Sequence, residues 1–411
     1  MDNDVSATRT QPAIRRTLGD AASAYLDALR AIASNLVIAA HVLLLYFHMK
    51  DPYSLGNFGV AIFFLLSGFL IMQSMLQWSS RPEPRLPGFL ADRVARIFTP
   101  YVPALIAIVG ANVFLIHSYA ANEDTNTGVL TFLGNLLMLQ DHSVFQLLEL
   151  GGVDLPWRIR PYNAAEPFWT VAIEMWIYVS MGLFYFCLIK RERINRLYMV
   201  ALALVSCPVL VWNAAAGGGK SLTLIWMLGS VAGLLFYFLR SATSVANIRA
   251  IGYAMVLFGS VALVGRIGKI GFQPYDVQSA ALIAMIMFGV LARLICVETI
   301  PAGIRRIAAF LASYSYSLYL IHNTVLIVAV EWLDFGNVWI EIAVGVLLAH
   351  GSAYALYVAF ERHYREVGRW LRPKFERAMT VRHSSAGDST LARPEISHGE
   401  TAVSFTRAKE V

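Results

Sequence analysis

The chain has 411 residues, of which 57% are hydrophobic and 15% are charged. Soluble domains average about 25% charged residues, so this composition, with a mean hydropathy of +0.57, argues against a soluble protein and indicates a polytopic all-α membrane protein. The net charge of +6 does not indicate nucleic-acid binding, because no basic stripe lies outside the apolar segments.

The first 24 residues are polar and contain no apolar core with a cleavage site, so we expect a cytoplasmic N-terminus and an uncleaved first span. A span needs about 20 apolar residues, and about ten transmembrane helices are predicted on that basis. They cover residues 30–48, 58–77, 97–118, 168–189, 197–213, 221–239, 250–266, 276–294, 310–332 and 337–360.

The segment 128–140 is too short to span, so it predicts a re-entrant or interfacial helix in the long outer loop 119–167. We expect that loop to form a lid or an acceptor platform rather than an inert connection. The chain divides into the polar N-terminus, a membrane domain over 25–361 and a cytoplasmic tail over 362–411. The tail is expected to be disordered from about 379, where large apolar residues become few.

Loop charges give the orientation. With ten spans and the N-terminus inside, seventeen Lys and Arg residues fall in the short cytoplasmic segments before the tail and six in outer segments. Positive residues accumulate in cytoplasmic loops, so both ends are predicted to be cytoplasmic. A span at 128–140 would place the basic cluster Lys190–Arg196 outside, which this rule disfavours.

The first span carries an arginine and a histidine, Arg30 and His41. Their separation of eleven residues corresponds to about 16 Å along a helix. Ionisable side chains at bilayer depth are costly and usually functional. A neutral imidazole there is suited to act as a general base on an alcohol, although a structural hydrogen bond to another helix is the alternative.

Three further kinds of residue stand out. Arg93 and Arg96, like Arg30, are predicted at the cytoplasmic ends of spans, where they follow the positive-inside rule or clamp a phosphorylated cofactor. Glu174 lies inside the fourth span and needs a partner there. That partner is either His41 or a residue of another helix in a purely structural pair. The three residues of the ninth span that recur at helical spacing form a cavity wall or a packed seam. They are Tyr316, Tyr319 and His322.

Five stretches in order along the chain carry a resemblance. They are Arg30 to His41, G-V-A-I-F-F-L-L-S-G-F-L-I at 59–71, F-L-A-D-R-V-A-R-I-F-T-P at 89–100, F-W-T-V-A-I-E at 168–174 and S-Y-S-L-Y-L-I-H at 315–322. The chain thereby resembles the acyltransferase-3 family, integral-membrane O-acyltransferases that modify bacterial surface glycans. The resemblance covers residues 25 to about 361.

The resemblance implies a bacterial inner-membrane enzyme that moves an acyl group, most simply acetyl, from cytoplasmic acetyl-CoA or another acyl-CoA to a sugar hydroxyl. The acceptor is a glycan or glycolipid, and no tightly bound cofactor or metal is expected. His41 and Glu174 become catalytic residues, with Arg30 as the companion of His41. Arg93 and Arg96 become donor contacts. Trp169 and the residues Tyr316, Tyr319 and His322 become substrate contacts.

The chain departs from the family pattern at three places. Asp92 stands where the first of two paired arginines is usual, Met175–Tyr178 replaces a more polar sequence, and His363 follows Glu361-Arg362 where proline is common. A rival reading is a transporter or exporter of a lipid-linked glycan or small solute, since polar residues inside a bundle also suit a pathway. Transporters are often built from repeats, and the sequence shows no internal repeat.

Overall fold

The computed structural model describes residues 19–49, 54–117, 127–153, 159–215, 221–242, 244–295, 297 and 300–380. Within these ranges all regular structure is helical. The helices are α1 (Asp20–Phe47), α2 (Leu55–Ser79), α3 (Leu86–Phe114), α4 (Val129–Leu136), α5 (Ser143–Leu150), α6 (Phe168–Gly182), α7 (Arg196–Ala215), α8 (Leu222–Ala242), α9 (Val245–Ile270), α10 (Val277–Leu294), α11 (Ala302–Ser313), α12 (Ser315–Trp332), α13 (Val338–Ala359) and α14 (Tyr364–Met379). A π-helical segment, Leu183–Ile189, continues α6, and a 3₁₀ turn, Glu361–His363, precedes α14.

The prediction of a polytopic all-α membrane protein is confirmed. In the described ranges, nine helical segments are long and apolar enough to cross a bilayer. The predicted span 310–332 is broken at Tyr314 into α11 and α12. Most of α12 is buried, including His322, Asn323 and Thr324, so it lies among other helices and needs less apolar character than a helix facing lipid.

Two predicted helix starts are wrong. α1 begins at Asp20 instead of residue 30, and α3 begins at Leu86 instead of residue 97. Hydropathy misses the first turns of α1 because their buried positions are filled by small alanines and by Asp27. Arg30, Arg93 and Arg96 therefore lie inside helices, roughly two to three turns from their starts.

The short helix predicted within 128–140 is present as α4, and α5 is a second short helix that the sequence did not indicate. α4 is fixed to the bundle through Asn135, which is fully buried. Tyr101 of α3 donates to the Asn135 carbonyl at 2.8 Å, and the Asn135 side chain donates to the Arg160 carbonyl at 2.9 Å. The described part of the long segment before α6 is therefore anchored to α3 at Asn135.

α2 crosses α8 at close range through two glycines. A Cβ on Gly68 would lie 2.0 Å from the carbonyl oxygen of Trp226, and one on Gly229 would lie 2.1 Å from that of Leu65. Small residues at helix crossings in membranes allow backbones to approach, because apolar lipid supplies no hydrophobic drive between helices. The crossing positions α2, which lines all three cavities described below.

The tail contains a helix that the sequence analysis did not predict. α14 packs on α3, where Arg372 forms a two-point ion pair with Asp92 at 2.8 and 3.0 Å. The guanidinium of Arg372 also lies 5.4 Å from the ring centroid of Trp78. Asp92, the departure from the family pattern, thus serves to dock α14. The predicted disorder after 379 falls on residues 381–411, which lie outside the described ranges, as do residues 1–18.

Candidate active site

Three cavities follow one another through the bundle. The basic vestibule, of about 590 Å³, is lined by Asp27, Arg30, Arg93, Arg96 and Glu361 together with residues of α11 and α14. The central cavity, of about 150 Å³, lies between α2, α3, α6 and α12. The His41 cavity, of about 400 Å³, lies at the other end of α1.

Neighbouring cavities share walls. Arg30, Arg93 and Arg96 line both the vestibule and the central cavity. Val60, Thr170 and Tyr319 line both the central cavity and the His41 cavity. The two ends of the Arg30–His41 stretch therefore face a series of adjacent cavities. At the second boundary the hydroxyls of Thr170 and Tyr319 are hydrogen-bonded at 2.5 Å.

The three arginines differ in what surrounds them. Arg30 lies 3.9 Å from the Asp27 carboxylate, and the Arg93 Nε is buried with no hydrogen-bond partner among the described residues. Arg96 forms an ion pair with Glu361 at 3.0 Å and lies 4.8 Å from the ring centroid of Tyr364. Arg30 and Arg96 therefore each lie beside a carboxylate, and all three guanidinium groups line the vestibule.

Glu361 is a site residue that sequence reasoning missed. It is fully buried and accepts hydrogen bonds from the Ser317 amide at 3.2 Å and hydroxyl at 2.6 Å. It thereby joins the chain after α13 to α12 and, through Arg96, to α3. The Glu361-Arg362 pair was recognisable in the sequence, but a charged residue at the end of a span is usually solvated. Only the fold shows that the Glu361 carboxylate is buried.

Glu174 belongs to the central cavity. It accepts a short hydrogen bond from the Tyr178 hydroxyl, which also bonds to Ser67 at 2.7 Å, and Ser67 accepts from the Trp226 indole at 3.0 Å. His41 lines the neighbouring cavity instead. Glu174 thus bonds to Tyr178 on its own helix, whereas the sequence left His41 and a structural pair open, because the depth of a residue along a helix does not say which neighbour it faces.

His322 lies against His41. The two rings are 5.0 Å apart between centroids, with an interplanar angle of 72°. His322 Nδ1 approaches the carbonyl oxygens of Leu318 and Tyr319 at 3.0 and 2.9 Å, and since carbonyls only accept, Nδ1 carries the proton. His322 Nε2 is buried and has no hydrogen-bond partner among the described residues.

The remaining candidate residues divide between the cavities. Tyr316 and Tyr319 line the central cavity, and Trp169 lines the His41 cavity. Tyr319 also contacts His322, with ring centroids 6.0 Å apart, but His322 is fully buried and lines none of the three cavities. The stripe on α12 is thus a cavity wall at Tyr316 and Tyr319 and a packed contact at His322.

The helix that carries Arg93 and Arg96 is held at its start. Glu192, in the connection before α7, accepts hydrogen bonds from the backbone amides of Arg85 and Leu86 at 2.8 and 3.0 Å. A carboxylate at a helix N-terminus satisfies exposed amides and opposes the helix dipole. Burial raises the pKa of the Glu192 carboxyl, and the two amide hydrogen bonds oppose that shift.

Two comparisons with known proteins bear on this site. Residues 23–358 match the family model of acyltransferase-3, described as an acyltransferase domain. The chain is also similar to a curated O-acetyl transferase of Shigella phage Sf6, with 22% identity over 219 residues, or 52% of this chain and 60% of that relative. The chain thus spans less than two thirds of the relative's length. No solved structure matches.

Proposed function

Because the chain belongs to the acyltransferase-3 family, we propose that it is a multi-pass membrane O-acyltransferase that transfers an acyl group, most simply acetyl, from acyl-CoA to a sugar hydroxyl of a surface or secreted glycan. The observation that carries the proposal is the series of cavities from the arginine vestibule to His41. The relative from Shigella phage Sf6 supports the acetyl group.

The donor enters at the vestibule in this proposal. Guanidinium groups bind phosphate oxygens in a two-point geometry, so Arg30 and Arg93 hold the phosphates of the acyl-CoA. Arg96 stays paired with Glu361 and keeps the vestibule wall in place. The pantetheine arm then passes through the central cavity, which brings the thioester toward the His41 cavity, about 16 Å along α1 from Arg30.

The chemistry occurs beside His41. A His41 nitrogen takes the proton of the sugar hydroxyl as its oxygen attacks the thioester carbonyl. The carbon–sulfur bond then breaks, and the departing thiolate takes the proton from His41. His322, whose Nδ1–H is held by backbone carbonyls, packs its ring against His41 at 5.0 Å between centroids and sets its orientation. Glu174, with Tyr178, polarises the central cavity through which the thioester passes.

The proposal also assigns the protein to the bacterial inner membrane with both termini cytoplasmic. Cytoplasmic acyl-CoA would then reach the vestibule directly, and the lysines and arginines would lie mainly on the cytoplasmic side. The acceptor would be reached at the opposite end, where His41 lies.

The test is acyl transfer by membranes that carry His41→Ala. Loss of a general base lowers the rate by about 10²–10⁴-fold, measured as release of CoA thiol and as acylated glycan by mass spectrometry. His117→Ala, at an exposed position outside the three cavities, is the matched control and keeps full activity. Wild-type rates of acyl transfer in His41→Ala contradict the assignment. Transport of a substrate while the thioester of acyl-CoA stays intact supports the alternative reading as a transporter.

A further inference from the structure

The His41 cavity differs in charge from the other two cavities. Its walls combine two aromatic residues, Trp169 and Tyr275, with the amide of Asn57 and the carboxylate of Glu166. Aromatic faces stack on the apolar faces of sugar rings, and amide and carboxylate groups bind hydroxyls. Its volume of about 400 Å³ falls within the rough 300–1,000 Å³ range of small-molecule sites.

Glu166 is the one formally charged side chain among the described residues that line this cavity, and the three arginines line the other cavities. Among the described residues, the vestibule carries five arginines against the two carboxylates of Asp27 and Glu361, so positive charge predominates there and the single charge at the His41 end is negative. A carboxylate repels an acidic ligand and attracts a cationic one.

The position of Glu166 is built into the fold. The carbonyl of Ala164, two residues before Glu166, accepts hydrogen bonds from the buried side chains of Asn323 at 2.9 Å and Thr324 at 3.1 Å. The turn closes through the Phe168 amide, which donates to the Ala165 carbonyl at 2.9 Å. Asn323 and Thr324 follow His322 directly, so one turn of α12 holds both the ring beside His41 and the backbone that carries Glu166.

The opposite wall is fixed as well. Tyr275 lies in the connection between α9 and α10, which is held to α2 by contact of the Phe58 and Phe272 rings at 5.2 Å between centroids. The same connection is tied down by Asp276, which pairs with Arg266 at 2.6 Å. Tyr275 and Glu166 thus face the cavity from two anchored segments.

We infer that the His41 cavity is the acceptor subsite and that Glu166 makes it selective for neutral or amino sugars over acidic sugars. The inference rests on the proposed function and deepens it by naming the substrate class. Asn57 and Glu166 bind sugar hydroxyls, Trp169 and Tyr275 flank the ring, and the carboxylate excludes uronic acids.

The experiment measures binding without requiring turnover. The full chain in lipid nanodiscs is titrated with methyl glucoside, methyl glucosaminide and methyl glucuronide, and binding is followed by saturation-transfer NMR. The wild type binds the first two about tenfold more tightly than the glucuronide. Glu166→Gln reduces this ratio to below about twofold, and Glu166→Arg inverts it. Glu149→Gln, at an exposed position outside the cavities, keeps the wild-type ratio.

Equal binding of the three glycosides, an unchanged ratio in Glu166→Gln or no glycoside binding overturns the inference. A fall in turnover that is the same for every acceptor, with the binding ratio unchanged, also overturns it, because Glu166 would then act only on the chemistry. The proposed function fails separately, when no His41-dependent consumption of acyl-CoA occurs even though the glycosides bind with the expected selectivity.

Discussion

At the scale of single residues, the site depends on how buried charges are compensated. Arg96 and Glu361 face each other across α3 and the 3₁₀ turn before α14, and Glu361 also accepts two hydrogen bonds from Ser317. Burying an isolated charge costs several kcal/mol, so each member of such a pair depends on the other. This pair joins α3 to the 3₁₀ turn and so keeps the arginine-lined wall of the vestibule in place.

Glu361→Ala is expected to destabilise the protein by about 3 kcal/mol, because it leaves Arg96 enclosed without its carboxylate and Ser317 without an acceptor. Thermal unfolding of the full chain in nanodiscs measures the change. The double variant Arg96→Met with Glu361→Leu removes both charges and is expected to lose less than Glu361→Ala alone. A double variant that loses at least as much as that single variant contradicts the interpretation.

At the scale of elements, two contacts between helices decide where the cavity walls lie. The α2–α8 crossing depends on Gly68 and Gly229, and the α3–α14 contact depends on Asp92 and Arg372. The first sets the position of the residues that α2 contributes to the central cavity. The second brings Tyr364 and Arg365 of α14 into the vestibule wall. A surface helix thereby becomes part of the site.

Gly68→Ala forces the crossing apart, since the added carbon would overlap the Trp226 carbonyl. Overpacking of this kind costs about 1–3 kcal/mol, read as a lower unfolding temperature. Gly110→Ala is the matched control, because nothing lies within 4 Å of a Cβ at that position. It is expected to leave stability unchanged or raise it by up to about 1 kcal/mol. Equal effects of the two changes argue against the close crossing.

Asp92→Arg is expected to undock α14, because it places a second guanidinium against Arg372. We expect the KM for acyl-CoA to rise several-fold and kcat to change less. Undocking of α14 displaces the vestibule wall that it forms, whereas His41 lies in another cavity. Arg372→Asp gives the same result, and the double exchange restores the pair and the KM. Additive losses in the double exchange show that the helix is not held by this contact.

At the scale of the whole molecule, the helices arrange three neighbouring cavities, which in the proposed function form a route that donor and acceptor enter from opposite ends. The route narrows where Val60, Thr170 and Tyr319 form the wall between the central cavity and the His41 cavity. Passage of the thioester through this wall is required by the proposed mechanism. Binding of CoA at the vestibule does not depend on that passage, so binding and transfer can be measured separately.

Val60→Phe fills the boundary and is expected to lower acyl transfer at least tenfold while the Kd for CoA, measured by calorimetry, stays within twofold. Val60→Ala, which widens the same boundary, keeps transfer within about threefold of the wild type. Insertion of a larger side chain costs about 1–3 kcal/mol, so the unfolding temperature of each variant is recorded alongside. Normal transfer by a folded Val60→Phe protein shows that the thioester takes another path.

The sequence by itself determined the class of the protein, because a helix that crosses the hydrocarbon core of a bilayer needs an apolar segment of spanning length. It also indicated Arg30 and His41, because ionisable residues inside an apolar segment can be recognised from the sequence. The stripe on α12 was indicated by its spacing of three residues. The starts of α1 and α3 escaped it, since small and polar residues buried against other helices lower hydropathy without ending a helix.

Only the tertiary structure decided which residues meet. It paired Glu174 with Tyr178, Arg96 with Glu361 and Asp92 with Arg372, because facing depends on helix rotation and crossing, which local sequence does not specify. It also placed Glu166 in the wall of the His41 cavity. The sequence around Glu166 carries no pattern that indicates this position. The stretch from Arg30 to His41 was apparent from the chain, whereas the path between its ends is a property of helix packing.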